Sequence, residues 1–257
     1  MKCNICEKPS NFIFEAKILD KYDVSYFQCS NCDFIQTERP YWLSEAYSSA
    51  ITALDIGLIE RNILLAPKLE TLIRLFFKSD CKFIDYGGGY GMLVRMMRDR
   101  GLDFYRQDIY CENIFAKNFD VTDFPQQRFE LLAAFEVFEH LENPISEIEK
   151  MFAYSDTICF STELQPQRAV TPQNWWYVVP QTGQHISLYS EKSLRHIAKL
   201  RRCNYYSYGN SFHLFTPQKI NPILFRGALN KYFSSFYSQI NKKNSLLQAD
   251  YNSLLNK

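Results

Sequence analysis

Four cysteines near the start of the chain fall in two matched pairs, Cys3-Asn4-Ile5-Cys6 and Cys29-Ser30-Asn31-Cys32. Each pair offers two thiolates from one tight turn, and two such pairs at this spacing suit tetrahedral zinc. A second group is Asp85-x-Gly87-x-Gly89-x-Gly91, whose glycines let a ligand approach the backbone where side chains would block it. Asp108 follows about twenty residues later, where one carboxylate can accept both hydroxyls of a ribose. A third candidate is His185, in a polar loop beside Gly183 and not on an apolar face. Imidazole is the side chain suited to taking a proton near neutral pH. Glu136, Glu139 and His140 set a carboxylate one turn before a Glu-His pair. That spacing admits a divalent metal, or else the pair caps the following loop and lines a cofactor pocket.

These residues need elements to hold them. Phe83 to Tyr86 reads as a buried strand, the glycines as a tight turn, and Met92 to Gly101 as a helix. Leu93, Met96 and Met97 share one face of that helix, arginines crowd its last turn, and Gly101 stops it. Strand–turn–helix at the edge of an open α/β sheet is a nucleotide-type cofactor site. Strands are predicted at Asp103–Asp108, Phe129–Phe135 and Thr157–Ser161, with a helix opening at Asn143-Pro144. A helix over Glu191–Leu200 and an antiparallel pair, Tyr205–Tyr208 with Phe212–Phe215, close the pattern. Asn11–Phe14 and Val24–Gln28 are expected as the strands between the cysteine pairs. Ile59 to Phe76 recurs at helical spacing, and Pro67 predicts a kink or a break within it. Tyr47, just before that helix, either faces a substrate or packs.

The 257 residues carry a net charge of +1, and 46% are hydrophobic, enough for a substantial core. Lys and Arg are scattered among as many acidic residues, which argues against nucleic-acid and membrane-surface partners. No apolar run approaches a membrane span and no leader precedes Cys3, so the expected compartment is cytoplasmic and reducing, without disulfides. Cys81, Cys111, Cys159 and Cys203 share no ligand spacing and read as small buried hydrophobes. The expected organisation is a zinc ribbon over 1–40, a helical cap or linker over 41–80, a cofactor-binding domain over 81–218 and a helical tail over 219–257. The ribbon is too small for a core of its own, so zinc is expected to supply much of its folding energy.

Spacing narrows the cofactor. The dinucleotide fingerprint G-x-G-x-x-G fails from Gly87, where its last position is Met92, and from Gly89, where it is Val94. The chain instead resembles the Rossmann-like S-adenosylmethionine-dependent methyltransferases. Asp85, Gly87, Gly89 and Gly91 are similar to their first motif, Asp108 to their second, and Phe135-Glu136-Val137-Phe138-Glu139-His140-Leu141-Glu142-Asn143-Pro144 to their post-strand stretch. The resemblance implies an α/β fold: a mostly parallel sheet with an antiparallel edge strand, preceded by the zinc ribbon. It also implies that the glycines face the methionine moiety, Asp108 holds the ribose, and Phe135 and Glu136 sit beside the cofactor.

Beyond Ser161 the stretch from Asn174 to Ser190 is aromatic for a loop, with Trp175, Trp176, Tyr177 and Tyr189. Such rings either stack on sugars or form a lid packed on the sheet. With a ribbon and a methyltransferase core, Gln184-His185-x-x-Tyr189 resembles the Glu-His-x-x-Tyr loop of nucleotide-sugar C-methyltransferases, with Gln184 in place of the glutamate. That resemblance implies His185 as base, Tyr189 and Tyr47 as pocket residues, and a nucleotide sugar or glycan as the substrate, methylated on carbon or oxygen. An RNA methyltransferase and a non-catalytic binding module on the same fold are the alternatives.

Overall fold

The computed structural model describes residues 1–48, 51–124 and 128–255. Along the chain run β1 (Ser10–Ile18), β2 (Tyr22–Cys29), β3 (Ile35–Thr37), α1 (Leu43–Ala46), α2 (Leu58–Phe76), β4 (Lys82–Tyr86), α3 (Met92–Arg98), β5 (Asp103–Gln107) and β6 (Leu131–Ala134). Then follow α4 (Pro144–Tyr154), β7 (Ile158–Ser161), β8 (Ser187–Leu188), α5 (Glu191–Leu200), β9 (Asn204–Tyr208), β10 (Phe212–Thr216), α6 (Pro222–Leu229), α7 (Lys231–Ile240) and α8 (Leu247–Leu255). One sheet has the order β1-β2-β3-β8 and the other β5-β4-β6-β7-β10-β9. β4 pairs in parallel with β5 and β6, whereas β9 and β10 are antiparallel. The fold is therefore mixed α/β with a mostly parallel central sheet, as expected. β6 and β7 are buried at every residue, and β6 accordingly reads as an unbroken apolar run.

The chain divides into two compact units. The first comprises residues 1–54, 135–150 and 160–217. Here the β1–β2 hairpin carries an irregularity between Phe12 and Phe14, and β3 pairs with β8, Ile35 opposite Leu188. Phe14, Tyr26, Ile35 and Trp42 share one core with Trp175, Tyr177, Ile186 and Leu188. Residues 1–40 thus build their hydrophobic core with the segment around residues 170–188, because a hairpin this short cannot bury enough apolar surface alone.

The second unit comprises residues 55–134, 151–159 and the chain from 218 onward. α2 runs unbroken through Pro67, so of the kink or break expected there, the break does not occur. Ala66, Leu69, Leu72 and Ile73 are fully buried, while Ile63, whose carbonyl loses its partner to the proline, lies on an exposed turn where water can reach it. The tail is anchored by an ion pair: Asp250 accepts from Arg98 Nη2 at 2.6 Å and Nε at 2.9 Å, and from Arg95 Nη1 at 2.8 Å. No helix of the described residues is long and apolar enough to cross a membrane.

Candidate functional site

In the second unit the glycine turn is shaped by its left-handed backbone, with φ of 69° at Gly87, 52° at Gly89 and 83° at Gly91. A side chain at Gly91 would also put its Cβ 2.5 Å from Asn113 Oδ1, so only glycine fits there. Asp108, just past β5, is tied into this turn. Its Oδ2 accepts from the Gly89 amide at 2.9 Å, and its Oδ1 accepts from the amides of Tyr110 and Cys111 at 2.8 Å each. Three amides fix the carboxylate, and its remaining lone pairs can still accept from the hydroxyls of a nucleoside. Asp85 is buried, and its pKa is pushed up to about 8, first by burial and then by the charge of Asp108, with Arg106 pulling the other way.

Arg106 belongs to none of the sequence motifs yet braces this turn. Its guanidinium bonds Asp120 Oδ1 at 2.6 Å and donates to the carbonyls of Gly89 and Cys111 at 2.5 and 2.9 Å. The signal was available: an arginine inside a predicted buried strand must find acceptors.

In the first unit, Glu136 holds a left-handed φ of 55°. Ser161 clamps it, its hydroxyl accepting from the Glu136 amide at 2.7 Å and donating to the Glu136 carboxylate at 2.6 Å. A non-glycine residue in this conformation costs about 1–3 kcal/mol and persists only where its surroundings enforce it. Phe135 is half-buried beside Phe212, ring centroids 5.8 Å apart.

Next come Glu139 and His140, in a short 3₁₀ turn, Phe138–His140. The Nδ1 of His140 lies 3.1 Å from the Gln184 carbonyl, and the Nδ1 of His185 lies 2.7 Å from the Tyr177 carbonyl. Carbonyls only accept, so each Nδ1 carries a proton, and in the neutral ring Nε2 holds the electron pair. The two rings meet edge to face at 5.0 Å; Tyr177 packs on His185 at 4.6 Å and Tyr47 on His140 at 6.3 Å. Tyr47 and His185 are thus brought to one cluster through His140. The nearby carboxylate is Glu139, fully buried. Gln184, at the position where the resemblance expects glutamate, instead donates to the Ala46 carbonyl at 2.8 Å. Burial and then the charge of Glu136 push the Glu139 pKa up to about 7, against the pull of His185 and Tyr177. No local pattern announced this meeting, because Glu139 and His185 belong to distant stretches of chain.

Tyr189 lies beside the Phe138–His140 turn. It is fully buried, and its hydroxyl donates to the Phe138 carbonyl at 3.1 Å. Trp175 and Tyr177 are core residues, which leaves Trp176, 71% exposed, as the loop's accessible aromatic face.

The four N-terminal cysteines converge. Cys3 and Cys32 sulfurs are 3.6 Å apart and those of Cys6 and Cys29 3.4 Å, with all four within 4.8 Å of one another. Four sulfurs about 2.3 Å from a central zinc lie about 3.8 Å apart, so the cluster fits that ion. The amides of Ile5 and Asn31 point at the sulfurs of Cys3 and Cys29, both at 3.4 Å, as outer-shell donors to thiolates do.

A family model described as a methyltransferase domain matches residues 59–207, more than half of the chain. No curated protein matches it. Among solved structures it is similar to the plantazolicin methyltransferase BpumL in complex with a monoazolic desmethylPZN analog and SAH, at 16% identity over 76% of this chain and 87% of that one, with a TM-score of 0.46. The magnesium protoporphyrin IX methyltransferase of Synechocystis PCC 6803 is 12% identical over 69% of this chain and 95% of that one, with a TM-score of 0.43. For the mitomycin 7-O-methyltransferase MmcR the values are 11%, 59% and 52%, with a TM-score of 0.41, so the chain spans about half of that protein's length.

Proposed function

The chain belongs to the family of methyltransferase domains, and from that premise we propose that it transfers a methyl group from S-adenosylmethionine to a sugar, nucleotide-linked or part of a glycan, with His185 as the general base. When bound, the cofactor supplies an electrophilic methyl group on a sulfonium. Asp108 would accept from its ribose, the bare backbone of Gly87, Gly89 and Gly91 would admit its methionine part, and Asp85 would support that turn from within the same unit. The acceptor atom, oxygen or carbon, must lose a proton as the methyl arrives, and the chain contributes orientation and a place for that proton.

One observation carries the assignment of the base: the hydrogen bond of 2.7 Å from His185 Nδ1 to the Tyr177 carbonyl. It holds the tautomer whose Nε2 can take a proton, with the buried Glu139 nearby to stabilise the imidazolium that results. Tyr47 borders the same cluster. Tyr189 supports it from beneath, by holding the turn that carries Glu139 and His140. The exposed ring of Trp176 supports a sugar acceptor, since its flat face suits the C–H edge of a pyranose. The sulfur separations support structural zinc on Cys3, Cys6, Cys29 and Cys32.

His185→Ala is the test. It should bind S-adenosylmethionine with wild-type affinity by calorimetry yet transfer methyl groups about 100-fold or more slowly to whichever acceptor a screen of nucleotide sugars and glycans identifies. Unimpaired transfer by this variant would remove His185 from the chemistry.

A further inference from the structure

Glu139 is not explained by proton transfer alone. Its side chain is completely buried, and among the described residues neither carboxylate oxygen has a partner at hydrogen-bond geometry, although Tyr177 lies near enough to favour its ionised form. A buried carboxylate without donors costs several kcal/mol if ionised. Protonation would relieve the charge but still leave an O–H and a C=O unsatisfied.

We propose that Glu139, His140 and His185 form a binding site for a divalent transition-metal cation. The three residues bring one ligand atom each within 4.8 Å of the others. His140 Nε2 stands 3.9 Å from Glu139 Oε1, too far for a hydrogen bond and close to what an ion spans when each ligand sits about 2.0–2.2 Å from it. Both imidazoles direct Nδ1–H to backbone carbonyls, the outer-shell arrangement that fixes a metal-binding histidine and leaves Nε2 as the donor atom. The two stretches that carry the ligands are also stitched together. Ile186 N–H donates to the Glu139 carbonyl at 3.0 Å, Ser187 Oγ to Leu141 at 2.6 Å, and Tyr189 to Phe138 at 3.1 Å.

Two imidazoles and one carboxylate form a donor set for manganese, iron, cobalt or zinc rather than for magnesium or calcium, which take oxygen. Three protein ligands leave coordination positions open. The cysteine cluster is chemically distinct, with four sulfur donors. The site stands on this geometry and not on the methyl-transfer reading. Its consequence for that reading is regulatory: an ion on His185 Nε2 occupies the electron pair that would take the acceptor proton, so ion binding and base catalysis exclude one another.

Cobalt(II) is a probe that separates the two clusters. Thiolate sites add intense near-ultraviolet charge-transfer bands, while a site of two imidazoles and a carboxylate gives only weak visible d–d bands. Titrated into the full-length protein, Co²⁺ should be taken up with d–d bands alone, in addition to any exchange at the cysteines. Glu139→Gln and His140→Gln should each weaken that uptake by about 100-fold or more, beyond the usual effect of losing an outer-shell partner. Their circular dichroism and cysteine site should stay unchanged; His140, partly exposed, serves if the buried substitution fails to fold. Absence of these bands in the wild type, or uptake by both variants at wild-type affinity, overturns the site. Methyl transfer should fall as the site fills. Uptake with undiminished or raised transfer overturns the regulatory consequence and His185 as base, while leaving the site standing.

Discussion

The carboxylate of Asp108 accepts a hydrogen bond from the Gly89 amide at 2.9 Å, so two motifs separated in the sequence meet in one turn. Asp108→Asn keeps the shape but removes the charge on which the amides of Gly89, Tyr110 and Cys111 converge. Charge-assisted hydrogen bonds contribute about 1.5–3 kcal/mol each. Losing that assistance should weaken S-adenosylmethionine binding by about tenfold or more, read by calorimetry. Unchanged affinity would take Asp108 out of the cofactor site.

His213 makes a separate prediction about stability. It is fully buried on β10, with Nε2 2.9 Å from the Thr162 carbonyl and Nδ1 3.0 Å from the Tyr205 hydroxyl. Burial pulls its pKa down from 6.5 to about 4. Between those values the unfolded chain binds a proton that the folded chain does not, so stability falls as the pH drops through this window. The loss amounts to about 3 kcal/mol. Urea unfolding at pH 7 and at pH 4.5 should show that loss in the wild type and a smaller one in His213→Gln. Parallel losses would mean that His213 keeps an ordinary affinity for protons.

For the cysteines, a strong chelator should release one equivalent of zinc and lower the melting temperature by several degrees, as expected when a bound ion ceases to favour the folded state. Cys29→Ser should reproduce the shift without chelator. A protein that holds no zinc and melts identically in both conditions would leave the four sulfurs as buried thiols.

Much of the glycine turn and its flanking elements was legible because its information is local. Strand, glycines and helix at Phe83 to Gly101 are consecutive, and the spacing to Asp108 is set by one crossover. The helix Glu191–Leu200 matched its expected bounds for the same reason: Ser190 caps it, accepting from the Ser193 amide at 3.0 Å. α2 stays one helix because a proline costs one hydrogen bond, and the buried face around Leu69 and Ile73 outweighs it. The environment of His185 was not legible at all. Its carbonyl partner on Tyr177, its ring neighbour His140 and the carboxylate of Glu139 come together only through tertiary packing, while the adjacent Gln184 side chain turns to the Ala46 carbonyl. The aromatic loop was ambiguous, since a tryptophan that packs, like Trp175, and one that faces water, like Trp176, are adjacent and alike in sequence.

The pairing of β3 with β8 also dictates an order of events during synthesis. Ile35 leaves the ribosome early, whereas Leu188, its partner across the ladder, is made only after most of the chain. Until then the nascent cysteine hairpin has an open strand edge and an unfilled core, a state prone to pairing with other chains. An ion captured by the four sulfurs would hold that hairpin in register while it waits, acting as a folding clamp before it acts as part of a finished enzyme.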